Sequence, residues 1–386
     1  MPSYIYYWSP CLNKVGTVKS TINSVLSLSK YSNSKFVPVV INACGEWDEY
    51  KDFFKSNNIK IVNLSPFNYY KYLPKTGFIQ SRLSYIIIFI FSFLPLIKVL
   101  RRNEVNYLIA HLITSLPLFI FYILNLNSKL ILRISGYPKL NILRSYFWKK
   151  VSKTLFKITC PSLELLNKIE KSNIFKKNQL YFLPDAIIQI DEFKKKKILI
   201  NNKEFDKSKK IVLSVGRLTK QKNFKYLIDE FEIFSKNQKD YILVILGDGE
   251  QKNYLKKYIS SRKLDDKIYL MGRTENVYQY MKKSEVFVLS SLWEEVGFVI
   301  VEAAISNLFV ISSNCPNGPS EFLDNGNHGI LFENNKKNKL SESLETYLKL
   351  NKEKRFYMRV NLKKGAIKYT IFRHYLILKK LLINEN

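Results

Sequence analysis

The chain has 386 residues, 46% of them hydrophobic, enough apolar content for two domains with a core each, which excludes a disordered or fibrous chain. Lys and Arg number 62 against 32 Asp and Glu, a formal net charge of +30; an extended polyanion, nucleic acid or anionic bilayer, is one explanation and a lysine-rich composition decorating solvated faces is the other, so charge alone does not choose. Four cysteines, Cys11, Cys44, Cys160 and Cys315, form no Cys-x-x-Cys pair, which argues against a disulfide framework or a structural zinc site and fits a reducing compartment.

The opening MPSYIYYWSP runs straight into a strand-like segment without a basic leader or apolar signal core, so a cytoplasmic location is expected. From Tyr4 to about Phe182 short β-branched or aromatic runs alternate with helical stretches. Val37 to Ile41, Ile59 to Val62, Tyr107 to Ala110, Lys129 to Arg133 and Lys157 to Thr159 read as buried strands,. Thr17 to Ser29, Arg82 to Arg102 and Glu164 to Lys171 read as helices between them. Such βα alternation predicts a parallel sheet. Within it, the apolar run Tyr85 to Ile97 is shorter than the roughly 20 residues a spanning helix needs. Its flanks carry Lys71, Lys75, Arg82, Lys98, Arg101 and Arg102, the pattern of a helix lying among lipid headgroups; a buried core helix with a polar end has the same pattern.

A second series follows, with strands at Ile211 to Val215, Tyr241 to Leu246, Ile268 to Leu270, Val286 to Leu289 and Phe309 to Ser312. The charged stretch from Phe193 to Lys210 reads as the linker,. The predicted fold is α/β, two Rossmann-like domains facing a central cleft: residues 1–190, residues 206–360, and a basic C-terminal helix, 361–386, crossing back to the first domain. Ligands of open α/β sheets bind at the carboxyl ends of the strands, so the cleft is where chemistry is expected.

The strongest signal is Ser290-Ser-Leu-Trp-Glu294-Glu-Val-Gly297-Phe-Val-Ile-Val-Glu302, which follows a strand and opens a helix. The free amides of a helix start suit a diphosphate. Glu294 and Glu302 flank that site and suit hydroxyls of a sugar and a ribose; complementing the helix dipole is the alternative use of such a pair. The second signal is Val212-Leu-Ser-Val-Gly216-Arg217-Leu-Thr-Lys-Gln-Lys222, a strand ending in glycine followed by two cations. Arg217 and Lys222 can neutralise the charge that develops on a departing diphosphate. The chain has no Asp-x-Asp triplet, the usual carboxylate clamp for a metal and diphosphate, so cations in place of a metal are the consistent expectation.

Gly216-Arg-Leu with its trailing Lys222, the Leu246-Gly-Asp-Gly249 and Gly272 turns, the Glu294 to Glu302 element and Ser313-Asn-Cys-Pro-Asn-Gly-Pro-Ser-Glu321 occur in this order over about residues 211–335. Together they resemble glycosyltransferase family 4. The resemblance implies a GT-B fold, retention of anomeric configuration and no catalytic metal. It assigns the donor diphosphate to Arg217 and Lys222, the donor sugar to Glu294, the ribose to Glu302, and contacts with sugar and phosphate to Gly216, Gly272 and the backbone of Gly297, Phe298 and Val299. One position departs: the family commonly has Glu-Gly-Phe-Gly where this chain has Glu294-Glu295-Val296-Gly297. In the first domain the resemblance is looser. It gives His111, at the end of Tyr107-Leu-Ile-Ala-His111, a place near the donor sugar, and Gly16 of Asn13-Lys-Val-Gly16-Thr17 the place of a glycine-rich first loop.

The expected function is therefore transfer of a sugar from a nucleotide sugar, UDP-linked, to a cell-envelope polysaccharide, lipopolysaccharide or lipid-linked oligosaccharide. The enzyme would use no cofactor or metal, have no nucleic-acid partner, and lie peripherally on the anionic inner face of the cytoplasmic membrane. The alternatives are a nucleotide-sugar epimerase or hydrolase of the same fold, and a basic nucleic-acid-binding protein. The second leaves Glu294 and Glu302 without a purpose and shows no reading motif.

Overall fold

The β-branched runs form two sheets, each wholly parallel, in the computed structural model, which describes residues 2–12, 16–74, 78–197 and 208–383. The chain divides into one unit of residues 1–187 with 371–386 and a second of residues 188–370.

In the first unit β1 (Ser3–Trp8), α1 (Gly16–Tyr31), β2 (Phe36–Asn42), α2 (Lys51–Ser56), β3 (Lys60–Asn63), α3 (Phe78–Leu100), β4 (Val105–Ala110), α4 (Ser115–Ile123), β5 (Lys129–Arg133), α5 (Ile142–Val151), β6 (Leu155–Cys160), α6 (Leu163–Lys171) and β7 (Leu180–Phe182) alternate. The sheet order is β3-β2-β1-β4-β5-β6-β7. Its central strands are buried on both faces, which is why they read as unbroken apolar runs,. The helices α2, α4 and α5 were not legible as such. α4, Ser-Leu-Pro-Leu-Phe-Ile-Phe-Tyr-Ile, is apolar all round, so periodicity cannot distinguish it from a strand,.

α3 is longer than the apolar run within it, and Gln80–Leu100 meets the length and hydropathy of a membrane span with a third of its most apolar stretch buried. It nevertheless joins β3 and β4, strands of one sheet, so the chain returns to the side it left. The helix has two apolar faces. Ile88, Leu96 and Val99 enter the core, while Leu83, Ile86, Ile90, Phe91 and Leu94 are 52–72% exposed.

The second unit holds α7 (Ile190–Lys197), β8 (Lys210–Val215), α8 (Phe224–Asn237), β9 (Tyr241–Leu246), α9 (Lys252–Ser261), β10 (Ile268–Gly272), α10 (Val277–Lys283), β11 (Val286–Leu289), α11 (Phe298–Ile305), β12 (Phe309–Ser313), α12 (Pro319–Phe322), β13 (Ile330–Phe332), α13 (Lys339–Lys349) and α14 (Lys352–Ala366). Its sheet order is β10-β9-β8-β11-β12-β13. Part of the stretch read as linker is helical: α7 carries Asp191 and Glu192 in its first turn, where they complement the dipole. Phe193 packs edge-on against Tyr278 at 5.1 Å. Residues 198–207 lie outside the described residues.

The return to the first unit begins at Ile371 with α15 (Ile371–Ile383), ten residues later than position 361, because α14 belongs to the second unit. Tyr31 of α1 packs against Phe372 and Tyr375. The last carbonyls of α15, orphaned like those of any helix end, are met from the sheet: Lys157 Nζ donates to Leu381 O at 2.8 Å and Tyr107 Oη to Leu382 O at 2.6 Å. Lys157→Met removes a charged hydrogen bond and a cation at a helix C-terminus, so it should lower the stability of this unit by about 2 kcal/mol. In urea titration the unit's midpoint should fall by about 1 M; an unchanged midpoint would show that α15 is held by packing alone.

Candidate active site

In each sheet the strand order reverses once, between β1 and β4 in the first unit and between β8 and β11 in the second. A reversal leaves the loops after the two central strands diverging, and the crevice at their carboxyl ends receives the ligands of this fold class. The candidate residues stand at these two points.

In the second unit β8 ends at Val215, and Gly216 N donates to Leu246 O at 2.9 Å. The aliphatic part of Lys222 crosses Gly216 closely: a Cβ there would lie 3.1 Å from Lys222 Cδ and Cε. Gly247 is confined further, since at its φ of +143° a Cβ would fall 1.8 Å from Gly216 O. The glycines of these turns thus clear the path of one lysine. Gly272 closes the next turn, with its carbonyl accepting from Gly247 N at 2.7 Å and a φ of +73°.

Lys222 Nζ donates to Glu294 Oε1 in an ion pair with the side chains only 14% and 8% exposed. Ser291 Oγ donates to the same oxygen at 2.6 Å. The loop carrying Glu294 is tied to the turn carrying Lys222: Ser290 Oγ donates to Lys222 O at 2.8 Å, Leu292 N to Gln221 O at 2.8 Å and Gln221 Nε2 to Trp293 O at 2.8 Å. From the other side Glu294 N donates to Pro316 O at 3.3 Å, and Gly318 allows residues 314–318 to approach, since a Cβ there would lie 2.0 Å from Glu295 O. Gly297, at φ +73°, starts α11, with Phe298 and Val299 in its first turn. Glu302 is buried further along α11, and its charge, after burial itself, helps push the Tyr278 phenol far above its usual range. Arg217 is exposed.

The structure therefore joins Lys222 and Glu294 directly and sets Gly216, Gly297 and the start of α11 beside them. Sequence reasoning gave these two side chains separate ligands and missed their pairing. It also missed Ser291, whose signal was the serine pair directly after a strand, and Gly318. Among the described residues no three His, Cys, Asp or Glu side chains are grouped to hold a metal ion.

In the first unit His111 follows β4, and its backbone N–H donates to Trp8 O at 2.9 Å. It lines a cavity of about 630 Å³ with Thr17, Arg133, Ser135, Arg144 and Trp148 among its walls. Its Nδ1 meets Thr21 Oγ1 at 3.2 Å, and the Thr21 hydroxyl donates to Thr17 O at 3.0 Å. With that proton committed, Nδ1 carries the hydrogen of the ring, and Nε2 accepts from Ser135 Oγ,. Beneath lies a buried pair, Arg133 with Asp185, the carboxylate also accepting from Ser20 Oγ at 2.5 Å. Gly16 is exposed at the start of α1; Asn13, Lys14 and Val15 of its loop lie outside the described residues.

Burial, then the Arg133 charge, pushes His111 down to about 3. His374 of α15 is pushed down to about 4 by the same causes in the same order, with Nδ1 donating to Pro184 O at 2.7 Å and Nε2 accepting from Ser24 Oγ at 2.8 Å. Both rings are neutral in the folded chain, while an unfolded histidine takes its proton near pH 6.5. The stability they provide is complete above that pH and is lost as pH falls toward 4, with a slope of up to about 2.7 kcal/mol per pH unit for the pair. Urea titrations of the wild type, His111→Asn and His374→Asn between pH 7 and 4 measure it, and each substitution should remove about half the slope; parallel curves would show that the rings are charged when folded.

Residues 195–367 match the family model described as glycosyl transferases group 1. An uncharacterized glycosyltransferase of Methanocaldococcus jannaschii is 29% identical over 253 residues, 59% of this chain and 60% of that protein. The N-acetylgalactosamine-N,N'-diacetylbacillosaminyl-diphospho-undecaprenol 4-alpha-N-acetylgalactosaminyltransferase of Campylobacter jejuni is 26% identical over 267 residues, 64% of this chain and 70% of that protein. Among solved structures, the Anabaena protein HepE in complex with UDP and glucose superposes with a TM-score of 0.70 at 12% identity, covering 98% of this chain and 99% of the other. That likeness is one of fold, two Rossmann-like domains of the GT-B type, while residues 195–367 are similar to the glycosyl transferases of group 1.

Proposed function

We propose that this protein is a retaining, metal-independent glycosyltransferase that moves a sugar from a UDP-linked donor to a cell-envelope glycan or a lipid-linked oligosaccharide, working at the inner face of the cytoplasmic membrane. The observation that carries the reading is the Lys222 and Glu294 pair at the switch point of the second sheet, beside the start of α11. A donor diphosphate at that helix start meets unpaired amides and bears more negative charge than one carboxylate. Lys222 would turn toward it, releasing Glu294 to accept from a sugar hydroxyl, while the exposed Arg217 closes on the same phosphates. As the sugar leaves, charge accumulates on the diphosphate oxygens, and two fixed cations stabilise it where other transferases use a metal. Retention requires the acceptor to attack from the side of the departing diphosphate, which Lys222 and Arg217 would hold in place. Glu302 would take the ribose. His111, neutral with its Nε2 as acceptor, would take a substrate hydroxyl in its cavity.

The relatives support the substrate classes. The Campylobacter enzyme is named for a diphospho-undecaprenol acceptor, and HepE was solved with UDP and glucose. The exposed apolar face of α3 supports a membrane location,.

A screen of nucleotide sugars by thermal stabilisation is the direct test, since a ligand at 100 times its dissociation constant adds about 2.7 kcal/mol; no response to any of them would refute the reading. With the donor known, Lys222→Ala and Arg217→Ala should each slow transfer by about 100-fold or more. Lys222→Ala also strands Glu294, so Lys222→Ala with Glu294→Gln is the control for folding. Glu302→Gln should act on donor affinity and Glu294→Gln on turnover. Activity should survive exhaustive chelation by EDTA; loss with rescue by manganese would overturn the proposed use of cations.

A further inference from the structure

We infer that α5 is the element by which this protein enters an anionic bilayer: Ile142, Leu143 and Tyr146 insert among the acyl chains, Lys139, Arg144, Lys149 and Lys150 take the headgroups, and the His111 cavity is brought to headgroup level. The inference rests on the reading of the protein as a sugar transferase only for what the cavity receives, an amphiphilic acceptor presented by the membrane.

Ile142, Leu143 and Tyr146 are 89, 80 and 64% exposed, so the first turns of α5 turn large apolar side chains outward. They are held there firmly. Asn141 caps the helix by accepting from Arg144 N at 2.8 Å, Phe147 packs edge-on against Tyr122 of α4 at 6.0 Å, and Trp148 packs against Phe175 at 5.6 Å. The apolar surface continues across neighbouring helices: Phe119 of α4 contacts Phe89 and Phe93 of α3, and beyond them Ile86, Ile90 and Leu94 are exposed. α4 thus touches both α3 and α5, and each of the three helices exposes large apolar side chains,.

Charge selects the occupant. Between Phe53 and Leu163 the chain has one acidic residue, Glu104, while Lys139 precedes α5, Arg144 lies in its first turn and Lys149 and Lys150 in its last. Exposed apolar side chains on a helix that carries cations and no acid fit an anionic lipid surface rather than a protein partner, whose interface would set carboxylates against some of these cations,. The cavity places this surface next to the chemistry. Its walls include Tyr85 of α3 and Arg144, Phe147 and Trp148 of α5, and His111 also lines it.

Sedimentation with equimolar phosphatidylglycerol and phosphatidylcholine vesicles, against phosphatidylcholine alone, measures the docking. The wild type should bind the anionic vesicles, and Ile142→Asp with Leu143→Asp should weaken binding by about tenfold or more. Equal binding by that variant, or none by the wild type, overturns the inference, as does loss confined to Ile90→Asp with Leu94→Asp, which would leave α3 as the docking element. All four native cysteines are buried, so an environment-sensitive dye on Ile142→Cys decides the question even if the aspartate variant misfolds: its emission should shift to the blue on anionic vesicles, and an unshifted emission refutes insertion. Lipids brominated near the headgroup should quench Trp148, an effect absent in Trp148→Phe; quenching that persists there removes the cavity from the membrane surface. Thermal stabilisation by nucleotide sugars, read in parallel, separates the two claims, because vesicle binding without stabilisation by any of them defeats the transferase reading and leaves the membrane face standing.

Discussion

The candidate site of the second unit depends on one ion pair, between Lys222 and Glu294, residues 72 positions apart. They can meet because β8 and β11 are neighbours in register, Val212 opposite Val286 and Leu213 opposite Phe287. That pairing brings the loops after the two strands to the same end of the sheet, and each further feature follows from letting the pair close. Glycine stands at 216 because the lysine stem passes over it, and glycine stands at 247 because Gly216 O passes under it. Breaking a buried pair by removing one partner typically costs about 3–5 kcal/mol, more than an exposed pair is ever worth. The lysine is therefore kept ordered and neutralised by the carboxylate, and in the proposed function an anion with more charge would displace it.

The first unit solves a related problem with different parts. Arg133 and Asp185 are both about 6% exposed, and the charge of Arg133 reaches His111 and His374. Burial first, and then a guanidinium beside two imidazoles, keeps both neutral, because adding a proton to either would put a charge out of water and next to a second cation,. For His374 this is structural, since the ring joins α15 to Ser24 and Pro184. For His111 neutrality leaves one ring hydrogen, which the Thr21 hydroxyl holds on Nδ1, so the nitrogen next to Ser135 is an acceptor. Burial and one shared cation thus set the proton state of a joint and of a cavity residue together.

What was legible in the sequence was what local pattern controls. The strands of both sheets are continuous apolar runs, so their existence and order could be read, and a parallel sheet follows from their spacing. Gly216, Lys222, Glu294, Gly297 and Glu302 stand close behind strands in recognisable order, so the candidate site could be named. That Lys222 binds Glu294 could not be read, because it depends on which strands are neighbours. β13 has three residues and α7 lies within a lysine run, so neither rises above the noise of periodicity. α3 was legible as apolar, but only the packing of Ile88 and Leu96 inward reveals that its other apolar face has no protein partner in this unit's core.

The same contrast bears on what composition left open about the charge of +30. A composition bias would spread lysine evenly and leave acids to accompany it, and in the second unit they do: Lys225 pairs with Asp229, Lys252 with Asp248, Arg262 with Glu232 and Lys339 with Glu342. Such exposed pairs add little stability but keep the local field near zero. Residues 53 to 163 have Glu104 alone to offset their cations, so a positive field there is not cancelled locally, and the exposed apolar side chains of α3 and α5 lie within the same stretch. Two deviations from an ordinary soluble surface, unbalanced charge and unpartnered apolar area, coincide in one part of the chain. Chance composition accounts for the first and not for its coincidence with the second, whereas the proposed docking on anionic lipid would require both.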